Sequence, residues 1–210
     1  DGKFAAASGH SRWVTSELAR EDVMLWRRYF PAIAVGANTV LEDNPSLTSR
    51  IGNEVFCPKR FIFDSQLKTA VSGSGLKLYS DPFKAETTVL CLKTAEQSRK
   101  EKILAMGVGL WELPDSGGHL DFEAFRQRCA QEGICGVYIE CGPAMATALL
   151  EAHKADYVFI YKAAKFMVDS AARGIGSERQ TTTMADAIQL KEVKHEIFGD
   201  DVLTRGTLAG

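Results

Sequence analysis

A chain of 210 residues has enough interior to bury one sizeable core. Its 45% hydrophobic and 25% charged content exclude a disordered or fibrous protein. With 25 basic residues against 27 acidic ones the net charge is -2, so no general attraction to nucleic acid or to an anionic membrane is expected.

No apolar run approaches the roughly 20 residues a membrane helix requires. The start, Asp1-Gly2-Lys3-Phe4, is no signal peptide, and a cytoplasmic protein is expected. The five cysteines are odd in number and contain no C-x-x-C pair, which argues for buried or incidental thiols over a disulfide framework or a zinc site. None of the four histidines opens an H-x-E signature, so no metal is expected.

In chain order, residues 3–7 read as a strand end that begins so abruptly that an upstream strand is expected to be missing before residue 1. A loop over 8–15 follows, with Thr15 or Ser16 capping a helix that has Glu17 in its first turn. Leu18, Leu25 and Tyr29 form the apolar stripe of this helix, widened by Ala19, Val23, Trp26 and Phe30, and Arg27 falls at its border. Residues 32–36 read as a buried strand, and the run 36–50 leaves its carboxyl end, too rich in Asn, Asp, Ser and Pro for a long helix. Further strands are expected at 60–63, 87–92, 108–113, 137–139 and 157–161, and helices at 95–106 and 122–131. Residues 70–75 and 169–183 read as surface loops, and strands near 193–198 and 202–208 make a hairpin through Gly199-Asp200-Asp201. The whole is an α/β fold: a mostly parallel central sheet with helices on both faces and a C-terminal antiparallel hairpin, in a single domain over 1–210.

The centre of the pattern is 137–150. A short β-rich run gives way at Gly142-Pro143 to a segment rich in Ala and Leu, and Pro suits the first helical position because its absent N–H has no partner there anyway. A helix N-terminus beyond a strand's carboxyl end is a ready phosphate site, and an ordinary β-α turn is the bland alternative. The segments 8–15, 36–50, 64–65 and 140–148 all leave or flank that edge of the sheet.

These residues resemble a known family. Asp1-Gly2-Lys3, Ser8-Gly9-x-Ser11-x-Trp13-Val14-Thr15, the block from Gly36 to Arg50 with Thr39, Asp43 and Leu47, the strand end Phe63-Asp64-Ser65, and Glu140-Cys141-Gly142-Pro143 are similar, in order and spacing, to the bacterial riboflavin-biosynthesis reductase domain. That domain is the C-terminal half of the bifunctional deaminase/reductase and has a dihydrofolate-reductase-like fold. The resemblance implies an NADPH-dependent reductase that opens the ribosyl group of 5-amino-6-(5-phosphoribosylamino)uracil to a ribityl chain. It puts Ser11, Arg27, Leu47, Arg50 and Glu140 on this phosphorylated pyrimidine substrate. It puts Trp13, Thr39, Asp43, Ser65 and the turn Gly142, Pro143, Ala144, Met145, Ala146, Thr147 and Ala148 on NADPH. The family also associates, which implies a homodimer. His10, Asn44 and Ala164 depart from its pattern.

In this reading hydride passes to the anomeric carbon of the open-chain sugar imine. Lys3 and Glu140 are the catalytic candidates: a lysine partly desolvated at a strand edge can donate a proton, and Glu140 fixes the substrate. Lys93 and Arg60 are both candidates for reading the 2′-phosphate. The chain carries no zinc-deaminase signature, so it is expected to be a stand-alone reductase or a piece fused to a deaminase elsewhere. The alternatives are another reductase of this fold acting on a different heterocycle, and a non-catalytic nucleotide-binding module.

Overall fold

The computed structural model of the protein describes residues 1–175 and 181–208, so part of the loop expected over 169–183 lies outside the described residues. In chain order the elements are β1 (Lys3–Ala5), α1 (Glu17–Tyr29), β2 (Ala32–Gly36), α2 (Ala37–Asp43), β3 (Ser49–Ile51), β4 (Glu54–Phe56), β5 (Lys59–Phe63), α3 (Lys77–Ser80), β6 (Thr87–Leu92), α4 (Gln97–Ala105), β7 (Gly109–Leu113), β8 (Asp115–Ser116), β9 (His119–Leu120), α5 (Phe122–Gln131), β10 (Val137–Glu140), α6 (Pro143–Glu151), β11 (Tyr157–Lys162), β12 (Arg173–Gly174), β13 (Leu190–Phe198) and β14 (Asp201–Leu208). Contacts divide the chain into two compact units, residues 1–23 with 142–210, and residues 24–141. Among the described residues no helix is long and apolar enough to cross a membrane.

The 24–141 unit is built on a five-stranded sheet of order β10-β2-β5-β6-β7, parallel throughout. Strands covered on both faces read as unbroken apolar runs, and Ala32-Ile33-Ala34-Val35 is buried along its length. Alternation along β5 sends Phe61 and Phe63 to one face and Arg60 and Ile62 to the other. On the first face lies α5, whose Phe125 ring sits 5.2 Å from Phe61 and 4.9 Å from Phe63. Asp121 starts that helix by accepting the Glu123 and Ala124 N–H groups. On the opposite face Arg60 meets the loop after α2 and the turn after α3.

The other unit contains the antiparallel sheet β11-β14-β13 and the antiparallel pair β1-β12. The β13–β14 hairpin turns through Gly199, whose φ of 65° suits glycine. Asp201, buried at the start of β14, accepts the Ser16 N–H at 2.5 Å, and the Ser16 hydroxyl accepts from Ala19, the capping role expected of it.

One expectation fails. The stripe of Leu18, Leu25 and Tyr29 does not face the core: these residues are 52%, 40% and 70% exposed, while Ala19 is buried and Val23, Trp26 and Phe30 are half-buried. Both sets obey the helical period. The polar anchors choose between them, since Asp22 accepts the Tyr161 hydroxyl at 2.5 Å and Arg27 pairs with Glu140, drawing that side of α1 inward. Residues 70–75 lie at the surface apart from Ala70, which is buried because Asp64 gathers the first of two tight 3-10 turns there, Lys68–Val71 and Gly73–Gly75.

Candidate active site

In the 24–141 unit two strand ends are fixed by hydrogen-bonded carboxylates, Asp64 and Glu140. Asp64 ends β5 and accepts three hydrogen bonds, from the Lys68 and Thr69 N–H groups at 2.8 Å each and the Thr69 hydroxyl at 2.7 Å. Thr69 is joined in turn to the Tyr79 hydroxyl, whose pKa burial pushes well above the ordinary range. Ser65 follows, half-buried, with its carbonyl accepting the Leu92 N–H at the tip of β6. The strand-end Asp64-Ser65 is therefore rigid, and Ser65 is presented at the carboxyl edge. Thr39 and Asp43 lie half-buried on α2.

Glu140, at the end of β10, is gripped by Arg27 in a fork: Nε to Oε1 and Nη2 to Oε2, both 2.7 Å. Arg27 also donates through Nη1 to the Thr48 carbonyl at 2.9 Å. Its side chain is 12% exposed. Burial pulls the guanidinium's pKa down, but the charge and hydrogen bonds of Glu140 outweigh this and raise it above its ordinary value. The two residues that sequence assigned to substrate thus hold each other first, and what they fix is the 44–50 loop.

That loop is under strain. Asn44 (φ 43°) and Leu47 (φ 52°) are left-handed, and for a leucine this costs about 1–2 kcal/mol. Asn44 tolerates the conformation and uses its amide to bridge Gly75 and Lys77, which accounts for asparagine here. Leu47 is 1% exposed, side chain and backbone together, so it shapes the loop from within and offers no surface to the substrate contact the resemblance implied. Arg50, on β3, is exposed, and its side chain makes no hydrogen bond or ion pair among the described residues. It is the one substrate candidate of this unit whose charge is open to an anion. Arg60, by contrast, cannot read a 2′-phosphate: it is fully buried and forked onto Asp81 at 2.6 and 2.9 Å. Lys93 is exposed.

In the other unit, α6 begins as expected, with Gly142 at the N-cap (φ -76°, ψ 177°) and Pro143 in the first turn. No side chain caps it, which leaves the Ala144 and Met145 N–H groups at the positive end of the helix. A Cβ built on Gly142 meets nothing within 4 Å, so there is open space over the turn. Ala144 and Ala148 are exposed, Met145 and Thr147 half-buried and Ala146 buried. Uncapped amides under open space fit a phosphate group. Burial pushes the neighbouring Cys141 thiol up to about 11, so it stays protonated.

Trp13 is 65% exposed and so is no part of the core, and the Arg20 guanidinium stacks 4.1 Å from its ring centre. The Trp13 and Val14 carbonyls accept the Lys165 ammonium. Ser11 is half-buried. Lys3, on β1, donates to the Ala172 carbonyl at 3.1 Å, beside Gly174 of the paired strand β12.

The sequence profile of the RibD C-terminal domain matches residues 1–204. The chain belongs to the RibD C-terminal domain family. It is 33% identical to the riboflavin biosynthesis protein RibD of Escherichia coli (strain K12), with 96% of this chain and 55% of that protein covered. It is 31% identical to RibD of Actinobacillus pleuropneumoniae, covering 97% and 53%. The chain therefore spans about half the length of these RibD relatives. The solved structure of Acinetobacter baumannii RibD superposes with a TM-score of 0.79 at 24% identity, over 100% of this chain and 55% of that one, which is a likeness of fold.

Two pairings that shape this RibD C-terminal domain are not legible in the sequence: Arg60 with Asp81, 21 positions apart, and Arg27 with Glu140, 113 apart. The available signal was an arginine inside the apolar strand run Arg60-Phe61-Ile62-Phe63, which demands a buried partner.

Proposed function

We propose that the chain reduces the ribosyl group of 5-amino-6-(5-phosphoribosylamino)uracil to the ribityl product in riboflavin biosynthesis, with NADPH as cofactor. The RibD family membership supports the riboflavin reading. The observation that carries the use of a dinucleotide is the uncapped start of α6 beneath the open space at Gly142.

NADPH, when bound, supplies hydride. The chain's own residues bind, orient and protonate. The Ala144 and Met145 amides hold phosphate within the turn 142–148, Trp13 offers its exposed face, and Thr39, Asp43 and Ser65 contribute polar contacts at the strand ends. Arg50 takes the substrate phosphate by a guanidinium fork and Ser11 meets the substrate through its hydroxyl, while the buried Leu47 shapes the loop that carries Arg50. Arg27 and Glu140 act as a locked pair beside the substrate, with Glu140 presenting an already oriented carboxylate. Lys3, tethered to the Ala172 carbonyl, is the proton donor. Lys93 is retained as the candidate reader of the 2′-phosphate.

NADPH absorbance at 340 nm, followed in the presence of the ribosylaminouracil phosphate, tests the proposal. Substrate-dependent oxidation is expected, faster with NADPH than with NADH; binding of NADPH without any oxidation would replace the reductase by a nucleotide-binding module. We also propose a homodimer through the open face of the C-terminal sheet. There Ile160, Val202 and Ile197 share one side, with Ile197 77% exposed. Sedimentation velocity should find a dimer that Ile197→Lys dissociates, and a monomeric wild type would refute it.

A further inference from the structure

We propose that the buried Arg60–Asp81 pair is a positioning device for the substrate loop, setting where Leu47 and Arg50 stand by holding the Ser46 carbonyl. The inference rests on the reading of 44–50 as a substrate loop and assigns that loop a control point on the face of β5 away from α5.

Arg60 is fully buried in the middle of the sheet, and its guanidinium is committed on two sides. Nη1 and Nη2 fork onto Asp81, and Nη1 donates also to the Ser46 carbonyl at 2.9 Å. Asp81 is itself fixed, accepting the Phe83 N–H at 3.0 Å while its own N–H bonds the Lys77 carbonyl at 2.8 Å. Two residues further along the loop, the Thr48 carbonyl is held by Arg27 in the same manner, by a guanidinium already forked onto a carboxylate. Between these two grips sits Leu47, buried and left-handed. Neither backbone preference nor leucine's own chemistry would choose that conformation. The loop is therefore shaped by two arginines bonded to alternate carbonyls, and Arg50 follows two residues after the second grip.

Stability alone does not explain the choice of arginine at position 60. Its Nε is buried without a hydrogen-bond partner among the described residues, and an apolar pair of similar volume would avoid that burden. What an apolar pair cannot do is hold the Ser46 carbonyl.

The double variant Arg60→Met/Asp81→Leu in the full chain is the test, because it removes the pair without stranding either charge. Amide hydrogen exchange over 44–50 should accelerate tenfold or more while Ile62 and Val89 in the sheet keep wild-type rates. KM for the ribosylaminouracil phosphate should rise tenfold or more, with the NADPH dissociation constant unchanged. A folded double variant with wild-type exchange in the loop and wild-type KM overturns the proposal. If the double variant does not fold, Arg60→Lys decides: it keeps a cation opposite Asp81 but loses the planar fork, so the same loop exchange should accelerate, and unchanged exchange overturns the proposal. Should the wild-type chain fail to turn over the substrate at all, the functional reading fails, while the exchange experiment still decides whether Arg60 holds the loop.

Discussion

Replacing Glu140 with alanine should lower the melting temperature by roughly 5–15 °C, from a loss of about 2–4 kcal/mol. The carboxylate occupies two donors of a guanidinium that is 12% exposed, and removing it leaves Arg27 charged and unpaired in a poorly solvated place. The estimate sits below the loss expected for a wholly buried pair because Glu140 is itself 26% exposed. Arg27→Met/Glu140→Leu should recover part of the stability, since neither charge is then stranded. It should not recover all of it, because the Thr48 carbonyl still lacks its donor. Both variants should lose turnover. Thermal unfolding of the two variants beside wild type checks this, and a Glu140→Ala protein that melts as wild type would mean the fork contributes nothing.

The second large effect has opposite signs in binding and in stability. Gly142→Asp places a carboxylate at the N-cap of α6, where φ and ψ are ordinary for any residue and a side chain has free space. Aspartate is a better N-cap than glycine by a few tenths of a kcal/mol and favours the helix dipole, so stability should rise by about 0.5 kcal/mol. The same carboxylate occupies the amides meant for phosphate and repels it. Two charge-assisted hydrogen bonds, each about 1.5–3 kcal/mol, are at stake, so NADPH affinity should fall by about a hundredfold at the least. A fluorescence titration alongside a melting curve reads both. Unchanged affinity would remove α6 from the cofactor site.

What the sequence made legible follows from which interactions are local. The start of α6 at Gly142-Pro143, the full span Phe122–Gln131 of α5 behind Asp121, and the buried strand at 32–36 are all dictated by near neighbours and by periodicity, and each was readable. The register of α1 was not. Leu18, Leu25 and Tyr29 satisfy the helical period as well as Ala19, Val23 and Trp26 do, and the choice is made by Asp22 and Arg27 finding partners more than a hundred residues away. Among the site residues, Trp13 and Arg50 are exposed, while the burial of Arg60 removes the role considered for it. The left-handed Leu47 was invisible because nothing in its own chemistry favours that conformation; the carbonyl grips on either side impose it.

The most direct measurement is a crystal structure of the chain with NADPH bound. The diphosphate oxygens should lie within hydrogen-bond distance of the Ala144 and Met145 amides, over Gly142. A dinucleotide seated elsewhere, with that turn covered by the protein's own side chains, would contradict the assignment.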